Sequence, residues 1–212
     1  MKQTSYILYL VLIFLICSAK DCGEDMATRE QNEQKRLEIL KEDVRNAFEA
    51  DSVSDEFVRA YEETARQKLI DFADYMKITS DTSLDKNFRQ QAGIMASRLF
   101  ISGSVNIAGW SRIYSIPGLS TPDQLREKIL SLGMIYWVQP FQIEINKPLT
   151  RLNDSVMAGS LSFYQSKIPF NNQLPADTNN KVLLIDIYNV KKVKIFDKEQ
   201  LRIWEVLLGD VE

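Results

Sequence analysis

The sequence predicts an α+β domain in which N-terminal helices are followed by a curved antiparallel sheet of four to five strands. Three observations predict it. Apolar residues recur at helical spacing over about residues 28–102, a strongly capped short helix falls at 121–132, and about 134–209 alternates apolar with polar residues. The 212 residues are 45% hydrophobic and 26% charged, enough apolar material for one sizeable core.

Residues 1–19 read as a signal peptide or membrane anchor, and 20–27 as a tether. Lys2 precedes the uncharged apolar run Tyr6 to Ile16, and Cys17-Ser18-Ala19 supplies the small residues of a cleavage site. Three fates stay open: lipidation at Cys17 or Cys22, cleavage after Ala19, or retention as an uncleaved anchor, although the run is short of the ~20 residues of a spanning helix. Each places the bulk of the chain outside the cytoplasm, periplasmic or on the outer surface, and lipidation or a retained anchor associates it with a membrane through its N-terminus, the expected state. The layout resembles envelope lipoproteins of Gram-negative bacteria, in which a cysteine at this depth precedes a polar, acidic tether, as in Cys22-Gly23-Glu24-Asp25. The small residue that such proteins carry before the acylated cysteine is missing, since Ile16 and Asp21 stand there.

From Thr28 a single domain is expected to run to residue 212. Thr28 and Gln31 have the form of a capping box, with Leu37, Leu40, Val44, Ala47 and Phe48 striping the helix behind it. Ser54 caps a second helix along Phe57, Tyr61, Ala65, Leu69, Phe72 and Met76, with Glu62, Glu63, Asp71, Asp74 and Asp81 on or near its solvated face. Leu84, Phe88, Ala92, Met95 and Leu99 stripe a third helix, ending near Ser102-Gly103. Residues 104–115 read as a strand or an irregular loop. Thr121-Pro122-Asp123-Gln124 then gives N-cap, first-turn proline and capping box in sequence, with Leu125, Ile129 and Leu132 on one face and Gly133 as the stop.

Strands follow. Ile135, Trp137, Phe141, Ile143 and Ile145 alternate with polar positions, and Pro140 marks that strand as an edge or a bulge. Met157, Leu161 and Phe163 line one face of the next, and Leu183, Ile185 and Ile187, then Val193 and Ile195, line one face of the third. In the fourth, Leu201 and Ile203 oppose Trp204, Val206 and Leu208. Short or polar connections favour an antiparallel meander. This element order over residues 28–209 resembles the cystatin-like and nuclear-transport-factor-2-like cone folds, which implies a cone-like sheet wrapped on helices and carries over no catalytic residue.

Composition excludes several functions. The 26 lysines and arginines against 29 aspartates and glutamates leave a formal charge of −3 without a basic block, unlike a nucleic-acid binder. With no histidine, Ser-His-Asp and Cys-His sites and most zinc sites cannot be built, and both cysteines lie in the first 22 residues, so no disulfide framework or cysteine zinc site supports the domain. No cofactor or metal is implied. Gly103 to Gly109 lacks the lysine of a phosphate loop and reads as a turn, and Asn153-Asp154-Ser155 is an incidental glycosylation triplet.

Two carboxylates, Glu144 and Glu205, interrupt apolar strands; exposure is the expected state, and an inward position would raise either pKa. Trp110, Tyr114, Tyr136, Trp137, Tyr164 and Trp204 concentrate in the C-terminal half as pocket or interface candidates. The expectation is a non-enzymatic cell-envelope protein, membrane-tethered, binding a protein partner or a small apolar ligand. Its rivals are a structural subunit of an envelope-spanning secretion or conjugation apparatus, and a cone-fold hydrolase or isomerase.

Overall fold

The structure is a computed structural model that describes residues 31, 35, 36, 54–116, 118–170, 177–196 and 199–212. The chain divides into two compact units, 1–51 and 52–212. Of the first, Gln31, Lys35 and Arg36 are helical and exposed. Cys17, Cys22, the export signal, the tether and the rest of the expected first helix lie outside the described residues.

Helix α1 (Asp55–Ser80) begins at Ser54, whose hydroxyl accepts the Phe57 amide hydrogen bond, and Asp55 and Glu56 place negative charge on its first turn. Ala65, Leu69, Phe72, Ala73 and Met76 form the buried face. Helix α2 (Lys86–Ser97) starts at Asp85, which accepts from the Asn87 and Phe88 amides. Its buried side differs from the expected stripe: Arg89, Ala92, Gly93 and Ala96 turn inward, while Phe88 and Met95 are exposed. Close approach decides this. A Cβ on Gly93 would stand 2.6 Å from Arg126 Cγ, and Arg89 Nε donates to Thr79 O at 2.9 Å, so the small and hydrogen-bonding face is the one that meets α1 and its neighbour.

Residues 104–115 form no strand. A four-residue helix, α3 (Ala108–Ser111), runs into a 3₁₀ turn at Arg112–Tyr114. Ile107, Trp110, Ile113 and Tyr114, spaced three and four apart, are all buried by that winding. Helix α4 (Pro122–Leu132) has the complete capping box, with Thr121 accepting from Gln124 N and Gln124 accepting from Thr121 N. Leu125 and Ile129 are buried as expected, but Leu132, at the end, is exposed.

Four strands follow: β1 (Tyr136–Asn153), β2 (Val156–Pro169), β3 (Asp177–Phe196) and β4 (Glu199–Val211). They pair antiparallel in the order β1-β2-β3-β4, the expected meander, in a curved open sheet. Helix α1 lies against β1 and reaches β4, with α2 and α4 packed on α1. The α+β class is thus the one expected. Val138, Leu149, Met157, Leu161, Phe163, Leu183, Ile185, Ile187, Val206, Leu208 and Val211 face the helices as one core.

The first half of β1 has the opposite phase to the expected one. Phe141 pairs with Tyr164 and Glu144 with Ser162, so two residues of β1 oppose one of β2, and Gln142 takes a φ of 50°. A bulge there shifts the alternation by one. Val138 and Pro140 therefore point inward before it and Ile143 and Ile145 after it, leaving Ile135 exposed and Trp137 and Phe141 half-buried. The expectation from Pro140 holds, since β1 is both an edge strand and bulged.

Candidate functional site

The six aromatic candidates separate into three places. Trp110, Tyr114 and Tyr136 gather at one end of the core. Trp110 is fully buried, its ring 4.9 Å from Phe72 and 5.7 Å from Phe163. Tyr114 is buried and stacks on half-buried Tyr136 at 5.9 Å, and the Tyr136 hydroxyl donates to Tyr114 O at 3.4 Å. Buried Gln165 donates through Nε2 to Trp110 O at 3.4 Å. Burial pushes the Tyr114 hydroxyl far above the usual tyrosine range, so it stays protonated. Trp110 and Tyr114 are core side chains.

Trp137 and Tyr164 lie elsewhere, with Phe141. Tyr164 stacks on Phe141 across the β1–β2 register at 5.6 Å, both half-buried on the sheet face opposite the helices. On the adjoining strand Val182 and Leu184, exposed, share that face. Lys77 Nζ of α1 stands 4.2 Å above Trp137, and Lys167 Nζ stands 5.2 Å above Tyr136 at the end of the core. Trp204 is the third place, half-buried on β4 opposite Lys191, whose ammonium stands 5.0 Å over the indole.

The carboxylates singled out in the strands do not converge on a cavity. Glu144 is exposed as expected, and Glu205 bonds Lys192 at 2.9 Å, which holds its carboxyl below the usual range. Glu62 departs from the solvated face assigned to it. It is buried, and its Oε1 accepts a hydrogen bond from Leu149 N at 3.0 Å.

Sequence reasoning missed a cleft of about 250 Å³ lined by Ile101, Ser102, Ser104, Val105, Tyr188, Gly209 and Asp210. It forms at a second bulge, where Gly209 and Asp210 oppose the single residue Asp186. Gly209 is required there: a Cβ would stand 2.5 Å from the Tyr188 ring and 2.9 Å from Asp186 Cβ. Asp210 Oδ1 accepts from Asn106 N at 2.7 Å, and the Ser102 and Ser104 hydroxyls bond each other at 2.9 Å. Desolvation, then the charges of Asp210 and Glu212, raise the Asp186 pKa; desolvation, then Asp186 and Asp210, raise that of Tyr188. The residues span 110 positions, so only a Gly209 inside an otherwise apolar strand could have hinted at it.

Among the described residues no group of carboxylates could hold a metal ion, and no helix is long and apolar enough to cross a membrane. No family model matches this chain, and no curated protein matches it. A solved structure similar to it is that of a candidate scytalone dehydratase from Novosphingobium aromaticivorans, 8% identical, with a TM-score of 0.33 over 73% of this chain and 89% of that one; so distant a likeness transfers no residue role.

Proposed function

We propose that this chain is a non-enzymatic protein of the cell envelope, exported and tethered through its N-terminus, whose folded unit binds a protein partner. One contrast carries the reading. The interior between helices and sheet is filled by Trp110, Phe72 and Phe163, whereas the stacked Phe141–Tyr164 pair stands half exposed on the opposite face beside Val182 and Leu184. A small apolar ligand needs an apolar chamber, and at this place Trp110, Phe72 and Phe163 are packed ring against ring. An exposed apolar strip with aromatic anchors is the usual form of a protein contact.

In-cell photocrosslinking tests the binding half. A crosslinking residue at Ser162, next to the strip, is expected to give a discrete protein adduct that Phe141→Asp abolishes, while the same residue at Asp154 gives none. Equal adducts at both positions, or an adduct indifferent to Phe141→Asp, overturns it. Mass spectrometry of the mature N-terminus, with membrane fractionation of Cys17→Ala and Cys22→Ala, tests the tether; a full-length, unprocessed chain in the soluble fraction overturns that half.

A further inference from the structure

We infer that the β3–β4 ribbon is a docking surface for anionic lipid headgroups. Leu183, Ile185, Ile187 and Asn189 on β3 are buried, but Val193 and Ile195, in the same phase further along, are 57% and 69% exposed. The strand pair therefore outruns the core that covers its first half, carrying aliphatic side chains into water. A soluble edge ribbon normally places charges in these positions.

Cations flank them on the same face. Val193 pairs with Arg202, Ile195 with Gln200 and Lys191 with Trp204, so one face of the ribbon carries Lys191, Val193, Ile195, Gln200, Arg202 and Trp204 and no carboxylate. The other face adds Lys192 and Lys194. From residue 190 to 205 the described side chains hold four cations and Glu205, which is bonded to Lys192, and the sequence adds Asp197, Lys198 and Glu199 around the turn. This stands on a chain whose net charge is −3, so it is a local concentration. Lys68 of α1 adds a fifth cation beneath the ribbon, close enough to feel Glu205, Lys192 and Lys194.

Exposed aliphatics, a half-buried indole and flanking lysines and arginine together match the apolar-to-polar step of a bilayer interface rather than a protein groove or bulk water. The cations reach phosphate groups while Val193 and Ile195 enter the headgroup layer. This surface is separate from the Phe141–Tyr164 strip and stands whether or not that strip binds a partner.

Flotation of the full chain with vesicles tests it. On phosphatidylcholine alone, any binding reports the N-terminal apolar run; adding phosphatidylglycerol is expected to strengthen binding. Lys191→Glu/Lys194→Glu/Arg202→Glu is expected to weaken the phosphatidylglycerol-dependent part by about tenfold or more, leaving phosphatidylcholine binding unchanged. Val193→Ser/Ile195→Ser keeps every charge and is expected to weaken the same part at low salt, where the cations still hold the ribbon at the anionic surface. Both variants are checked by thermal melts against wild type, and the serine variant decides if the charge variant melts early. Binding indifferent to phosphatidylglycerol, or unchanged in both variants, overturns the proposal. So does full displacement by inorganic phosphate or a short DNA duplex at matched phosphate concentration, since either would mean an anion site without a membrane.

Discussion

Glu62 on α1 and Leu149 on β1 are joined by a buried hydrogen bond of 3.0 Å from the Leu149 amide to Glu62 Oε1. Strand β1 is an edge and bulged on both sides of Leu149, so this amide lacks a regular ladder position and a helix side chain satisfies it instead. Glu62→Ala leaves the amide unpaired and is expected to cost about 1–3 kcal/mol in denaturant unfolding. Glu62→Gln keeps an acceptor of the same reach and is expected to retain most of the stability. Equal losses in the two would assign the effect to packing.

Trp110 is held by two aromatic neighbours and has no exposed atom worth counting, yet its ring nitrogen has no hydrogen-bond partner. Trp110→Ala is expected to destabilise by about 3–5 kcal/mol through the cavity it opens. Trp110→Phe deletes the unsatisfied donor as well as some volume and is expected to cost far less. Unfolding midpoints in urea, with the slope held constant, check the order.

Gly159 on β2 faces the bulged backbone of β1, where a Cβ would stand 2.6 Å from Lys147 O and 3.0 Å from Leu149 N. Backbone cannot swing aside as a side chain does. Gly159→Ala is expected to shift the β1–β2 pairing, seen as faster amide hydrogen exchange across Lys147 to Thr150. Gly209→Ala meets Asp186 Cβ at 2.9 Å as well as the Tyr188 ring at 2.5 Å, and is expected to loosen the β3–β4 pairing around Asp186.

Asp186 faces Tyr188 on its own strand, Asp210 and Glu212 from the end of β4, and Lys147 from β1. Its folded pKa is raised, chiefly by desolvation and then by the two carboxylates. The neutral form is therefore favoured in the fold, and stability is lost as pH rises through that raised pKa. Asp186→Asn is expected to raise the melting temperature at neutral pH. The gain is expected to shrink as pH falls towards the ordinary aspartate pKa and to vanish by about pH 3, where folded and unfolded aspartate are both largely protonated. Melting curves across that window check it, and a gain that persists at low pH would point to a packing effect.

Periodicity carried the element order because each element has an apolar face of its own: the α1 stripe, the α4 capping box and the β2 face of Met157, Leu161 and Phe163 all stand where they were expected. Phase was less legible. The bulge at Gln142 reverses the alternation halfway along β1, and nothing in the local composition announces it. On α2 the buried side was settled by how closely Gly93 and Ala96 allow other helices to approach, a tertiary matter that favoured small residues over Phe88 and Met95. Of the aromatic candidates, Trp110 and Tyr114 could not be told from core, because a buried indole and a binding indole look alike in one dimension. The Tyr188–Asp210 cleft depends on a chain crossing from Ser102 to β4, which only folding creates.

The segment Leu99 to Ile101 lies along β4, with Ile101 N donating to Leu208 O and Leu208 N to Leu99 O, both at 2.9 Å, and Phe100 bridging Leu208 in parallel. One margin of the sheet is thus occupied beside Leu208 by the molecule itself. The other, β1, is interrupted by Pro140, Pro148 and four irregularities in its pairing. Beside Leu208, and along the interrupted β1, a neighbouring copy therefore finds no long flat row of vacant amides to use as a template for strand exchange.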